Sequence, residues 1–406
     1  MTVGGSAPEA SHPDRVATIV GYAHSPIVRR AERPLGAVAV DSARAALADA
    51  GVTVADVDGV VASSMLPSSG DHAPVDGVAT VSAPWLAEHL GVSGAQVAGF
   101  QGLGQVPGSV ALASNAIGAG TAEVVVWQRA LHNPAGSYHR TNRREFGGHQ
   151  QWTAPHGFFG PLPTIALTAT EYVQRHGVDR RSLGAVTVEA RKNGARIPWS
   201  AWHGRPLTLD EYLDAPLIND PICRLDCDLP VDGVATFVFT SAARARHLPH
   251  RPVAVAGFAG ATPVRPRLPL HWPLDDLMEA GRDLARRLWS RSGLGPGEVD
   301  LPQVYDGFSP FVWLWMEVLG LCPEGEAHRV VAEGGIDSDR PGSLPVLSGG
   351  GALGNGRMHG VPQMLECYLQ LAGRAGERQR PGVEVALACH ASPHLGGAVV
   401  YRRGEG

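Results

Sequence analysis

The chain has 406 residues and a formal net charge of −5, from 34 Lys plus Arg against 39 Asp plus Glu. So mild an acidity argues against an electrostatic nucleic-acid binder, which needs a basic face. A composition that is 44% apolar and 18% charged excludes a disordered chain and predicts two or three globular domains at about 150 residues each.

No apolar run approaches the ~20 residues of a membrane span. Met1 to Asp14 lacks a basic start followed by an apolar stretch, so no secretory signal is expected. Five cysteines, an odd number without a framework, point to a reducing compartment, and the expected location is the cytoplasm.

The first predicted element is a strand, Val16 to Ala23, closed by His24-Ser25-Pro26. Asp41 to Ala50 reads as an Ala-rich helix stopped by Gly51. Asp58 follows, then the strand Gly59 to Ala62. Ser109 to Gly120 predicts a helix feeding the strand Glu123 to Trp127. Residues 128–220 break this pattern. The part from Leu131 to Pro163 is rich in Gly, Pro, His and aromatics and has no periodicity. A helix follows from Thr164 to His176, then a capped one from Asp179 or Ser182. Long irregular segments are often functional, so an inserted loop domain over a site is expected.

The opening pattern then returns. Val253 to Ala259 is a strand, Leu277 to Ser292 a helix stopped by Gly293, and Leu301 to Tyr305 a strand after Asp300. Val361 to Gly373 is a helix feeding Glu384 to Ala388. Gly51 and Gly293 each begin G-x5-V-D before a buried strand. The same elements in the same order predict a duplication: an N-terminal half, 1–250, holding the insertion at about 128–220, and a C-terminal half, 251–406. Alternating strands and helices imply right-handed βαβ units in layered α/β packing.

Pro221 to Ala235 (PICRLDCDLPVDGVA) resembles the P-L-x-x-L-D-C-x-x-x-x-D-G-A segment of sterol-carrier-type thiolases. Tyr305-Asp306-Gly307-Phe308-Ser309 is similar to that group's H-D-C-F-S, and Leu395 to Val400 to its L-G-G-A-V-V ending. The resemblance spans about residues 15 to 402. It implies an α/β, thiolase-like fold of duplicated βαβαβ halves, layered α-β-α-β-α, with an inserted loop domain.

Three catalytic identities differ. A thiolase needs a cysteine at a loop-to-helix junction of its first half, where the helix lowers the thiol pKa. Val97 to Ser109 contains none. The histidine of H-D-C-F is Tyr305, and the family's G-H-P becomes Gly356-Arg357-Met358, with His359-Gly360 beyond. This combination resembles the thiolase-like lipid-transfer proteins that act as aldolases in steroid side-chain degradation. The resemblance implies retro-aldol cleavage of a β-hydroxyacyl-CoA to a ketone and a shorter acyl-CoA. It implies no cofactor beyond the coenzyme A of the substrate, a small OB-fold partner protein, and a homodimer or, with the partner, a heterotetramer. Two rival readings stand beside it: a cysteine-independent acyltransferase and a non-catalytic acyl-CoA- or lipid-binding subunit.

Retro-aldol chemistry needs a base for the β-hydroxyl, donors for the enolate and an acid for its carbon. Tyr305, matched to a catalytic histidine, is the expected acid/base. Asp306 orients it or caps the following helix. His359 is a base or packs against its loop. His390 and His394 share the last loop, and the motif register leaves open which points inward. Gly349 to Gly354 satisfies G-x-G-x-x-G between an expected short strand and a helix, but Glu366 falls inside a helix rather than at a strand end, against a dinucleotide site. The turn is expected to offer backbone N–H groups at Gly350 and Gly351 to substrate, beside Asn355 and Arg357.

In the insertion, Arg140 and Arg143, with Arg144, are candidates for the phosphates of coenzyme A. His132, His139, His149 and His156 lack a metal-ligand spacing, so no metal is expected. Trp315, in the stripe of Phe311 and Met316, is core or lines an apolar substrate. Cys223 and Cys227 read as structural and buried.

Overall fold

The computed structural model describes residues 13–63, 78, 80–100, 105–133, 150–158, 160–261 and 272–404. In the first half β1 (Ala17–His24), β2 (Gly59–Ala62), β3 (Gln96–Gly99), β4 (Val124–Leu131) and β7 (Gly233–Ser241) lie in the order β3-β2-β4-β7-β1. A small hairpin, β5 (Leu217–Asn219) with β6 (Ile222–Cys223), joins the end of the insertion to the segment that follows it. In the second half β8 (Val253–Gly260), β9 (Leu301–Gln303), β10 (Val385–His390) and β11 (Gly397–Arg403) lie in the order β9-β10-β11-β8. Matching β2, β4, β7 and β1 to β9, β10, β11 and β8 gives one order in both halves. In each, the last strand alone runs antiparallel to its neighbours. The halves meet where β1 and β8 pair antiparallel, Thr18 opposite Ala254 and Ile19 opposite Val253.

The repeated sequence marks have repeated jobs. The Asp58 carboxylate accepts the N–H groups of Glu123 and Val124 at 2.8–2.9 Å, and the Asp300 carboxylate those of Glu384 and Val385 at 2.9 Å. Each aspartate therefore fixes the start of its half's buried strand. Gly21 and Gly257 correspond as well. A Cβ on Gly21 would stand 2.6 Å from the Ala50 backbone, and one on Gly257 3.0 Å from the Ser292 backbone. Both let the end of a helix close onto its strand.

Helices α1 (Leu35–Ala50) and α2 (Ala83–Leu90) cover the outer face of the first half. Helix α3 (Gln105–Gly118) lies between the halves, touching β1, β4, β8 and β11. The insertion contributes α4 (Pro161–His176) and α5 (Arg180–Ala195), the latter capped by Asp179. Helices α6 (Leu274–Ser292) and α7 (Pro310–Val318) cover the outer face of the second half together with the insertion. After the short α8 (Gly351–Asn355), α9 (Val361–Leu371) joins α3 in the middle layer. Strand alternation sorts side chains among three cores. Val124 and Val126 face α1, whereas Val125 and Trp127 face the middle layer. Among the described residues no helix is long and apolar enough to cross a membrane.

Two expectations need correction. β4 runs four residues beyond Trp127, paired to Leu131 opposite Gly233. The insertion therefore starts after the strand rather than at 128, and Leu131 belongs to the strand rather than to the irregular stretch; buried polar residues, Gln128 and Arg129, hid the strand's continuation. No strand precedes the glycine-rich turn either, since residues 345–349 are themselves a turn.

Helix α5 meets α8 through glycine. A Cβ on Gly354 would lie 2.0 Å from the Ala190 carbonyl oxygen, and one on Gly194 1.8 Å from that of Gly354. Gly354→Ala is expected to cost about 1–3 kcal/mol by overpacking, read as a lower denaturant midpoint with an unchanged slope.

Candidate active site

Four chain segments converge at the ends of β4, β9 and β10. Tyr305 follows β9 and is 5% exposed. Its ring centroid lies 5.2 Å from that of His390, the last residue of β10. The His390 ring lies 6.0 Å from that of His359, in the turn before α9. His359 adopts φ +46°, a strained backbone for a non-glycine residue. Gly360 makes room for the pair, since a Cβ there would meet the His390 ring at 2.7 Å. Gly307 does the same for Tyr305: its Cβ would stand 2.4 Å from the phenolic oxygen.

Alternation along β10 explains which histidine turns inward. Ala386 and Ala388 pack in the middle layer, Leu387 and Cys389 in the outer core, so His390 follows the former pair. His394 lies elsewhere. Its Nδ1 is 3.0 Å from Ser392 Oγ and its ring packs on Trp272 at 4.4 Å. Burial pushes His394 down to about 3.

Arg129, not anticipated from sequence, completes the cluster. It has the β4 parity of Val125 and Trp127, is fully buried, and donates from Nη1 to the Ser63 carbonyl at 2.9 Å and Oγ at 2.8 Å. Burial pulls it down to about 9, while its charge interacts with Tyr305 and with Arg357. Burial, then Arg357, Arg129 and His390, hold His359 well below the ordinary imidazole range. Burial and Arg129 do the same for His390. Both imidazoles are therefore neutral. Among the described residues neither His390 nitrogen, nor His359 Nε2, has a hydrogen-bond partner, which makes them candidates to meet a ligand.

These neutral histidines set a pH dependence. The unfolded chain takes up protons below about pH 6.5 that the native chain refuses, so stability is lost as pH falls from there, by up to about 1.4 kcal/mol per unit for each such group. His390→Asn is expected to flatten the fall in melting temperature between about pH 6.5 and 5; an unchanged slope would show that His390 titrates normally.

Other expected site residues have structural duties. Asp306 is fully buried. It accepts from Ala352 N at 2.6 Å, Leu353 N at 3.0 Å and Gln363 Nε2 at 2.9 Å. It therefore caps α8, 46 residues on, rather than the helix that follows it. Burial raises Asp306 to about 7 against the pull of those N–H donors. The N–H groups that the glycine-rich turn presents at Ala352 and Leu353 thus already hold a carboxylate. Gly350 and Gly351, at φ +74° and +55°, shape this cap: a Cβ on Gly351 would meet the Asp306 carboxylate within 2.4 Å. Asn355 braces the turn, donating to the Gly349 and Gly351 carbonyls at 2.7 and 2.8 Å.

Trp315 is fully buried in the outer core rather than lining a pocket. It donates from Nε1 to the Ala391 carbonyl at 2.7 Å, fixing the loop after His390. Arg357 does sit beside His359 and Arg129, and its backbone N–H donates to the Leu229 carbonyl at 2.7 Å. Arg140, Arg143 and Arg144 lie outside the described residues.

The L-D-C motif supports the site. Asp226 accepts from Tyr212 Oη at 2.7 Å, Ser309 Oγ at 2.5 Å and Cys223 N at 2.8 Å, tying the insertion to the Tyr305 segment. Burial raises all five thiols, Cys322 to about 12. None is a poised nucleophile. Ser109, in α3, is buried, donates to the Val106 carbonyl and accepts from Trp127 Nε1, both at 2.8 Å, so its hydroxyl is held within the core. Among the described residues no group of His, Cys, Asp and Glu could hold a metal.

Residues 274–400 match the family model described as thiolase C-terminal domain-like. The 17-hydroxy-3-oxo-4-pregnene-20-carboxyl-CoA lyase of Mycobacterium tuberculosis is 32% identical over 367 residues, covering 88% of this chain and 92% of the relative. The steroid side-chain-cleaving aldolase of Thermomonospora curvata is 29% identical over 370 residues, covering 88% and 90%. Among solved structures, the Ltp2-ChsH2(DUF35) aldolase superposes with a TM-score of 0.84 at 26% identity, over 97% of this chain and 99% of that one. The acetyl-CoA acetyltransferase of Syntrophomonas wolfei shares the fold, with a TM-score of 0.64 at 16% identity over 96% and 99%.

Proposed function

Because the chain belongs to the thiolase-fold family of steroid side-chain-cleaving aldolases, we infer that it cleaves a steroid side-chain β-hydroxyacyl-CoA by retro-aldol chemistry. The observation that carries the mechanism is a buried acid/base cluster, Tyr305 with His390 and His359, in a scaffold whose five thiols are all raised by burial.

The steps balance without a covalent intermediate. A positive charge beside a phenol favours the phenolate, and Arg129 supplies one to Tyr305. The phenolate takes the β-hydroxyl proton. The bond between the carbinol carbon and the carbon α to the thioester then breaks, leaving a ketone and a thioester enolate. N–H groups of the neutral His390 and His359 stabilise the enolate oxygen. Tyr305 returns its proton to the enolate carbon and releases the shorter acyl-CoA. Coenzyme A enters only as part of the substrate, and no step asks for a cofactor.

A small OB-fold partner and a homodimer, or a heterotetramer of the two, complete the proposal. The aldolase of similar fold carries a second component, ChsH2(DUF35), in its name, which supports the partner. The test is mass spectrometry of a 17-hydroxy-steroid 20-carboxyl-CoA incubated with the protein, with and without that partner. Ketone and shorter acyl-CoA in equal amounts are expected. Intact substrate in both arms would overturn the reading.

A further inference from the structure

Among the described residues two non-glycine residues adopt a positive φ: His359 at +46° and Ala391 at +58°. His359 is a member of the reacting cluster, and Ala391 directly follows His390. A left-handed backbone is unfavourable for any residue with a Cβ. It persists only where the surroundings enforce it, and such places concentrate at working sites.

The surroundings of Ala391 are of that kind. Trp315, fully buried in α7, donates from Nε1 to the Ala391 carbonyl at 2.7 Å. Gly396 lets the turn close, since a Cβ there would stand 2.0 Å from the His390 carbonyl oxygen and 2.6 Å from that of Ser392. Pro393 lies so near α6 that a Cβ on Gly281 would meet it at 2.9 Å.

The His390 side chain needs such a frame. A catalytic imidazole is ordinarily aimed by a hydrogen bond to its second nitrogen. Among the described residues neither nitrogen of His390 has one. Its aim therefore comes from the backbone that carries it. The ladder between β10 and β11 ends at His390 opposite Gly397. Past that pair, the path of the chain is set by the turn at Ala391.

We propose that Trp315 is a positioning residue for the reaction: its indole N–H holds the left-handed turn at Ala391, and that turn sets the His390 ring against Tyr305. An apolar ring would fill the outer core equally well; the N–H is what the turn requires. The kinetic part of this inference rests on the function proposed above, whereas the placement of the ring does not.

The test joins kinetics to crystal structures of variants. Trp315→Phe is expected to lower kcat by about 10–10²-fold, as for a misplaced reacting group, with KM changed only a few-fold. The ring centroids of His390 and Tyr305, 5.2 Å apart, are expected to separate. Adding Ala391→Gly to Trp315→Phe repairs none of the lost packing. It is nevertheless expected to recover about fivefold in kcat and to bring the ring back, because glycine enters the left-handed region freely. An ordinary Ala-to-Gly change lowers stability; Ala391→Gly by itself is expected not to lower the melting temperature. An unmoved ring or an unchanged kcat in Trp315→Phe, a double variant that fails to recover, or a lower melting temperature in Ala391→Gly would each overturn the proposal. Should Trp315→Phe not fold, Ala391→Val carries the test, since it keeps the indole and puts a β-branched residue at the same φ. A displaced ring and a lower kcat are expected there, and an unmoved ring overturns the role. If the native chain does not cleave the thioester, the function proposed above fails, and the position of the ring in the variants still decides the role of Trp315.

Discussion

Tyr305→Phe is expected to lower kcat by about 10²–10⁴-fold, the range for loss of a positioned acid/base, with KM changed only a few-fold. The substitution removes one oxygen and leaves the ring to pack on His390 and Phe311, at 5.2 and 6.4 Å between centroids. Folding and substrate binding are thus preserved while the proton carrier is lost. Release of ketone, followed by mass spectrometry, is the readout, and full turnover would remove Tyr305 from the mechanism. Gly307→Ala is a second route to the same loss, because the new methyl would occupy the place of the phenolic oxygen. Combined with Tyr305→Phe it should add little, since both strike one group.

Arg129→Met is the second large effect. It keeps the length of the side chain and removes the charge beside Tyr305, His390 and His359. A drop in kcat of about 10²–10³-fold is expected, as for loss of one preorganised electrostatic group. A merely structural role would lower activity at every pH alike. An electrostatic one moves the acid limb of the kcat profile upward, because the phenolate is no longer favoured. Arg129→Lys should restore part of the rate and most of the limb's position. An unmoved limb in Arg129→Met would show that its charge does not act on Tyr305.

Much of the scaffold was legible because its marks are local. A glycine stop, five spacer residues and V-D recur in both halves as a short contiguous run, although the bonds its aspartate makes reach a strand start 65 or 84 residues further on. Tyr305 was legible because a motif surrounds it. The rest depended on contacts between distant segments. Arg129 sits where polar residues interrupt an apolar run, so the strand seemed to end at Trp127. Carrying the alternation of Val125 and Trp127 two residues further would have turned Arg129 toward the middle layer. The same rule, applied from Ala386 and Ala388, would have separated His390 from His394. No such rule reaches Asp306. Its partners at Ala352, Leu353 and Gln363 are set by the fold alone, and the glycine-rich turn advertises N–H groups without saying which carboxylate takes them.

The middle layer has a consequence for how the chain comes to fold. Its core draws Ile19, Val110 and Phe237 from the first half and Met364, Tyr368 and Tyr401 from the second. β1 can pair with β7 only after some two hundred residues have been made, and with β8 later still. Contacts so distant in sequence form slowly. During synthesis the first half therefore waits with one apolar face of its sheet and helix α3 uncovered. Such an uncovered apolar face is prone to aggregation, so the vulnerable step falls before α9 leaves the ribosome.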